Sequence, residues 1–364
     1  MASTVCHAMN GTVGLTRTEP CRLTRPIGTD KIGARRKQRE VKSMKAMRAH
    51  QFGGPEQLRL EDAPDPQAQA GQVVIRVKAA GINPADLVRL SGRLQALSLR
   101  YIPGTDVCGE VESSGIGVTH LIKGARVFGR ALTGGYAEKT CLAASETIPL
   151  PANLSFEEGA AIPIPFYTAY HAVHHKAAVR SGETVLISAG GGGVGVAAIQ
   201  LAKLAGARVL TTVGSQEKAE RTRALGADVA INYRQQDFVA EVHKLTDGKG
   251  VDVIIENVAA DNLAKDFMAV AVAGRIVLIG TGTGKTADAT FGVLGALMKD
   301  ATMYGMSLIN AGSAVPEMAA TLTRLFAERK IKAVVSKTYS LSDAPLALSD
   351  LLAGNVFGKL VLTP

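Results

Sequence analysis

The chain contains no tryptophan and only 4% aromatic residues, so its interior must be built from Val, Ile, Leu and Ala. Cysteine is scarce as well. Cys6, Cys21, Cys108 and Cys141 form no C-x-x-C pair and no disulfide framework, which excludes a disulfide-stapled scaffold and suits a reducing, cytoplasmic setting. No N-terminal stretch has the apolar character of a secretory signal. Residues 185–202 carry no charge, yet five glycines fall among them and strand and helix periods divide them. They form a soluble core unit, not a membrane span. Charge is unevenly spread. Of a net +9, residues 1–43 hold nine Lys/Arg against Glu19, Asp30 and Glu40 (net +6), leaving 32 basic against 29 acidic residues (net +3) in 44–364. The body is therefore near neutral and a nucleic-acid partner is not indicated. The extension, rich in Ser, Thr and Arg, reads as a transit peptide, a disordered basic arm or translation from upstream of the true start. Met44-Lys45-Ala46-Met47 opens a strand in a way that favours a start near Met44.

What is present is organised around residues 184–214. An apolar strand, Thr184 to Ser188, runs into Ala189 and the glycines Gly190 to Gly193, Val194 and Gly195. A helix follows with Val194, Ala197, Ala198, Leu201 and Ala205 on one face, and then a second strand, Arg208 to Val213. In this strand–turn–helix setting Gly190-x-Gly192-x-x-Gly195 reads as a dinucleotide fingerprint, whose glycines give a tight turn, backbone approach to a pyrophosphate and close packing. Free N–H groups and the helix dipole hold the pyrophosphate. A flexible loop would match the spacing but not its surroundings. An NAD site usually ends its second strand in Asp or Glu. Here Gly214 and Ser215 stand in that position and Lys218 follows, which favours a 2′-phosphate and hence NADPH. Ser215 also suits a helix N-cap.

At 364 residues the chain accommodates two domains with cores of their own. Residues 44–169 are mostly strand, including 72–79, 107–111 and 135–140, with a short helix near Pro84 and a Ser155/Glu158 capping box opening a helix toward Tyr170. Residues 170–308 alternate strand and helix, with strands at 184–189, 208–213, 228–231, 251–256, 275–280 and 302–306 and with Gly206, Gly226 and Gly274 near helix ends. That order predicts an α/β fold with a doubly wound, six-stranded parallel sheet, its cofactor at the carboxyl ends of strands one, four and five. Residues 309–364 return to the first domain.

The body resembles the zinc-free quinone oxidoreductases of the medium-chain dehydrogenase/reductase superfamily, in particular the zeta-crystallin type. The likeness rests on Ala80-Gly81-Ile82-Asn83-Pro84-Ala85-Asp86, Pro103-Gly104-Thr105-Asp106-Val107, Gly135-Tyr136-Ala137-Glu138, Ala160 to Tyr170, Gly190 to Gly195, Ile231-Asn232-Tyr233-Arg234, Asp252 to Glu256 and Gly274-Arg275-Ile276-Val277. It implies a GroES-like β-rich catalytic domain (44–169 and 309–364) with a Rossmann domain (170–308) inserted. It further implies that Gly191, Gly192, Gly193 and Val194 meet the pyrophosphate. Gly214, Ser215, Lys218 and Tyr233 would form the adenosine-phosphate pocket. Asn262, Ile279, Gly280, Thr281, Gly282, Met306, Ser307 and Leu308 would line the nicotinamide half, and Asn83 and Thr168 would face the ring and the substrate cleft. Val88 stands where family members often carry a tyrosine. A homodimer or homotetramer, paired through the strand near 302–306, is implied as well.

Zinc enzymes of the superfamily polarise their substrate through Cys and His ligands. The corresponding stretches here offer Asn83 and Thr105, and the four-cysteine lobe is absent, so no metal is assigned. A quinone accepts hydride without a Lewis acid, and the protein's task becomes positioning and water exclusion. Tyr136 is a candidate proton donor and Asp86 a candidate partner of Asn83 or substrate; packing and capping are their alternatives. His171-x-x-His174-His175 shares a helix face and reads as polar surface. The competing activity is reduction of an activated C=C bond in an enone, enal or enoyl thioester. Arg93-Leu94-Gln95-Ala96 lacks the tyrosine of the enoyl-thioester reductases. A structural or RNA-associated NADPH binder is the reading outside enzymology.

Overall fold

The computed structural model describes residues 42–93, 98–282 and 287–364. The basic extension short of Lys42, and Leu94 to Ala96, lie outside the described residues. β1 (Ser43–Ala49) and β2 (Leu58–Pro64) form an antiparallel pair. The following elements are β3 (Gln72–Gly81), α1 (Pro84–Leu90), β4 (Asp106–Ser114), β5 (Arg126–Arg130), β6 (Lys139–Ala143) and β7 (Thr147–Pro149). Then come α2 (Phe156–Ala160) and α3 (Pro163–Tyr170), which runs on as a π-helix over His171–Lys176.

Strand and helix then alternate: β8 (Thr184–Ile187), α4 (Gly193–Leu204), β9 (Arg208–Val213), α5 (Gln216–Arg223), β10 (Val229–Asn232), α6 (Phe238–Leu245), β11 (Val251–Glu256), α7 (Ala259–Ala269), β12 (Val270–Leu278), α8 (Val293–Leu297) and β13 (Thr302–Gly305). The chain closes with α9 (Val315–Ala327), β14 (Val335–Ser340), α10 (Ala344–Ala353) and β15 (Lys359–Thr363). The six middle strands form one parallel sheet in the order β10-β9-β8-β11-β12-β13. The order reverses between β8 and β11, which opens a crevice at their carboxyl ends. The second sheet runs β14-β15-β3-β4-β5-β7, with β6 also on β3, so the last two strands join the first half of the chain.

The glycine-rich turn shows why those positions lack side chains. A Cβ on Gly190 would collide with the Thr211 hydroxyl, and one on Gly195 with the Ala189 carbonyl. Behind the turn, α4 buries every residue from Gly195 to Ala202 against the sheet and α3. The main apolar cluster joins both sheets through Ala79, Phe128, Phe166, Ile187 and Val209. At 2–3 kcal/mol or so per large apolar side chain, that shared cluster is what binds the two halves.

Three expectations shift. The strand at 135–140 begins instead at Lys139, because Gly135 and Tyr136 donate to Gly104 and Pro103 carbonyls before the chain reaches β3. Gly274 sits inside β12 and not at a helix end, since α7 already stops at Ala269. The helix toward Tyr170 is two helices, broken after Ala160, and it gains the π turn. Among the described residues no helix is long and apolar enough to cross a membrane.

Candidate active site

The crevice begins at the turn into α4. Gly192 is the N-cap, and the next N–H groups point out of the helix end with no side chain to cover them. Gly191 is tied to the C-terminal segment, its carbonyl accepting Gly358 N–H at 2.8 Å. At the end of β9, a cavity of ≈ 290 Å³ is lined by Gly214, Ser215, Glu217, Lys218, Tyr233, Arg234, Gly354 and Asn355. Ser215 caps α5 by accepting Lys218 N–H at 3.2 Å. Lys218 Nζ donates to the Gly354 carbonyl at 2.6 Å. Burial, and then the Arg234 guanidinium, lower the pKa of its ammonium. Glu217 is held by Arg221 at 3.2 Å. Two like charges, Lys218 and Arg234, face this cavity together with the Glu217 carboxylate, which Arg221 pairs.

The other expected cofactor residues gather at the ends of β11, β12 and β13. Ala259 N–H donates to Gly280 O at 3.0 Å and Ala260 N–H to Thr281 O at 3.2 Å, so the turn after β11 is laced to residues 279–282. Ile279 N–H donates to Glu256 O at 2.9 Å. Asn262 Nδ2 donates to Glu256 Oε2 at 3.3 Å. Met306 N–H is held by Leu278 O at 3.1 Å, Ser307 caps the turn that follows and Leu308 is buried. Thr168, nearly buried on α3, makes no side-chain hydrogen bond.

Asn83, Asp86 and Tyr136 are buried in the first half. Lys359 is buried with them. Its ammonium donates to Asn83 Oδ1 and, at 2.9 Å, to Asp106 Oδ2. The amide's other side donates to Asp106 Oδ2 at 3.0 Å and Thr105 Oγ1 at 3.2 Å. A lysine only donates and a carboxylate only accepts, so the orientation of the Asn83 amide is fixed and every polar atom of it is engaged. Asp106 Oδ1 accepts Ile164 N–H at 3.0 Å, which ties the network to the start of α3. Asp86 Oδ2 accepts Asn83 N–H at 2.8 Å and the Tyr136 hydroxyl at 2.9 Å. Burial pushes the Asp86 carboxyl up to about 6 and the Tyr136 phenol well above its usual value. The Tyr136 proton is thereby spent on Asp86. Capping and packing, the alternatives set beside catalysis for this pair, are what the geometry shows.

The family model for the alcohol dehydrogenase GroES-like domain matches residues 69–152, and that for zinc-binding dehydrogenase matches 193–327. The rat quinone oxidoreductase is 36% identical over 326 residues, spanning 88% of this chain and 98% of its own. The chain belongs to the quinone oxidoreductase family of medium-chain dehydrogenases/reductases. Among solved structures of similar shape, the Escherichia coli quinone oxidoreductase complexed with NADPH is 30% identical with a TM-score of 0.81, covering 88% of this chain and all of that one (100%). An NAD-dependent alcohol dehydrogenase is 33% identical with a TM-score of 0.81 over 88% of this chain and 100% of its own. The shape alone therefore does not choose the coenzyme.

One family model names zinc, and the residues at the superfamily's ligand positions are poor donors for it. At the stretches where the superfamily's ligands fall, Asn83 and Thr105 supply an amide and a hydroxyl, and the Lys359 ammonium already occupies the amide oxygen. Among the described residues no group of three or more His, Cys, Asp or Glu side chains is arranged for a metal. His171 Nδ1 lies 3.0 Å from His175 Nδ1, and His175 Nε2 meets Glu317 of α9 at 3.2 Å, so the histidine face joins two helices. Sequence reasoning missed Lys359, Asp106 and Arg234 as site residues. Arg234 was within reach, since it follows Tyr233 in a stretch already singled out. Lys359 and Asp106 meet only through the return of β15.

Proposed function

We propose that the protein transfers hydride from NADPH to a quinone with no zinc at the reacting centre. The observation that carries this reading is the Lys359 ammonium seated between Asn83 and Asp106. A buried cation, two of its N–H groups held by Asn83 and Asp106, stands among the residues that replace zinc ligands; with no Lewis acid there, the acceptor must already be electron-poor. NADPH, when bound, supplies the hydride. The chain's own residues grip and orient it. The N–H groups at Gly193 and Val194 take the pyrophosphate, Lys218 and Arg234 take the 2′-phosphate, and the 279–282 segment lies along the nicotinamide half. The free hydroxyl of Thr168 is the polar group left to contact ring or acceptor.

Two copies pair through β13. This strand is an edge of the six-stranded sheet, and Val293, Leu294, Leu297 and Met298, which precede it in the chain, are 66–71% exposed. An unpaired edge flanked by an apolar patch is a surface that a second copy covers.

Oxidation of NADPH by the full chain, offered 1,4-benzoquinone, 9,10-phenanthrenequinone, 2-hexenal and crotonyl-CoA, tests the reading, with metal analysis of the same sample. Turnover of the quinones supports it. Preference for the enal or the thioester, or stoichiometric zinc in active protein, overturns it.

A further inference from the structure

Glu256 and Asp266 are wholly buried carboxyl groups that the reading above does not use. Glu256 ends β11. Its Oε1 accepts the Ser188 hydroxyl at 2.6 Å and the Val258 N–H, while Oε2 accepts the Asn262 amide. Ser188 Oγ in turn accepts Asn257 N–H at 2.7 Å. Asp266 stands one turn beyond Asn262 on α7, and neither of its oxygens has a hydrogen-bond partner among these groups. The charged group that acts on it is Glu256. Other charges on the packed elements are turned elsewhere. Lys265 of α7 lies over the Phe238 ring, Lys244 and Glu241 of α6 face each other, Arg275 of β12 holds Glu183, and Asp261 sits at Gly282.

Two ionised carboxylates cannot share a dry site that, among the described residues, holds no cation, because desolvation and mutual repulsion both favour keeping a proton. Burial raises the pKa of both groups. The Glu256 charge raises Asp266 further, whereas the donors around Glu256 favour its ionised form. The proton therefore sits on Asp266. Its O–H then has an acceptor in Glu256, which accounts for one of the two otherwise orphaned Asp266 oxygens. The pair lies at the carboxyl ends of β8 and β11, directly behind the turn laced to residues 279–282.

We propose that Asp266 donates its carboxyl proton to Glu256 and thereby positions the 257–262 turn, and through it the 279–282 segment, against the nicotinamide half of the coenzyme. Asp266 is a positioning residue, not a catalytic one. The ligand half of this proposal rests on the NADPH reading; the shared proton does not.

Affinities for NADPH and for 2′,5′-ADP, which lacks the nicotinamide half, separate the two parts. Asp266→Leu fills the volume without a donor. It is expected to weaken NADPH about tenfold while leaving 2′,5′-ADP within about twofold. Asp266→Asn keeps a donor and is expected to restore the wild-type ratio. The second readout needs no coenzyme. A carboxyl raised in the folded state stabilises below its unfolded pKa, near 4, and that contribution is lost as pH rises toward the folded value. The melting temperature of wild type should thus fall more steeply than that of Asp266→Asn between about pH 5 and pH 9. An unchanged NADPH to 2′,5′-ADP ratio in Asp266→Leu overturns the positioning role. Parallel melting curves overturn the shared proton, and they decide alone if Asp266→Leu does not fold. Wild type that ignores 2′,5′-ADP would defeat the NADPH reading and leave the melting comparison standing.

Discussion

Lys359 and Asp106 are a buried ion pair, 4% and 0% exposed, held at 2.9 Å. Such a pair gains little over an apolar replacement of both partners, but removing one partner strands the other charge in a dry interior. Lys359→Met is therefore expected to cost about 3–5 kcal/mol, and Lys359→Met with Asp106→Asn to recover most of it. Urea unfolding of wild type, single and double variants checks this; a double variant no more stable than the single would show that the pair is not the cause. Lys218 and Arg234 carry the opposite logic, since their charges face a cavity and neither has a carboxylate ion pair among the described residues. Removing either by alanine should raise the NADPH KM by roughly tenfold, one charge-assisted hydrogen bond, with little change for NADH. Steady-state kinetics with both coenzymes decides, and equal losses for the two would exclude 2′-phosphate contact. Ser215 and Lys218 were legible because the second strand, its turn and the helix start are contiguous in sequence. The pairing of residue 106 with residue 359 was not, because nothing local marks a lysine that will be buried.

At the scale of elements, the alternation from β8 to β13 could be read directly, each strand being a short apolar run closed by a glycine or a capping residue. The readings that shifted were those where the chain changes partner within a stretch of strand-like composition. Residues 135–138 have the composition of β6 but bond to the 102–104 segment and to β1. The π turn after α3 likewise leaves no mark in residue types, because its extra residue is set by where α3 meets α9. β13 is the element whose surroundings are incomplete within one chain. Among the described residues its outer edge is unpaired, and α8, which buries none of its residues, precedes it in the chain. Leu297→Asp places a charge on that apolar face and costs the monomer little, as the side chain is already exposed. Light scattering should find wild type as a dimer or larger and the variant as monomer. A wild-type monomer would remove the edge-pairing proposal.

At the scale of the whole molecule, the crevice is not the property of one half. The apolar cluster that contains α3 and α4 also contains Phe128 of β5 and Val361 of β15. The C-terminal segment crosses back to the turn into α4, where Gly358 pairs with Gly192 and bonds the Gly191 carbonyl. Gly358 has φ 88°, and a Cβ there would collide with the Val334 carbonyl, so the crossing depends on a residue that only glycine supplies. Neither half can lose its packing without exposing the core of the other, and the coenzyme cavity has walls from both, Lys218 from one and Gly354 from the other. Calorimetry of the full chain should then show a single transition, because a domain that shares its core cannot melt alone. NADPH at a hundred times its Kd should move that one transition upward, adding about 2.7 kcal/mol of stability. Two transitions, with only the earlier or the later responding to NADPH, would mean that the shared cluster does not couple the halves. Gly358→Ala strains the crossing without touching the cavity wall at Lys218, so it should split or broaden the transition before it abolishes binding.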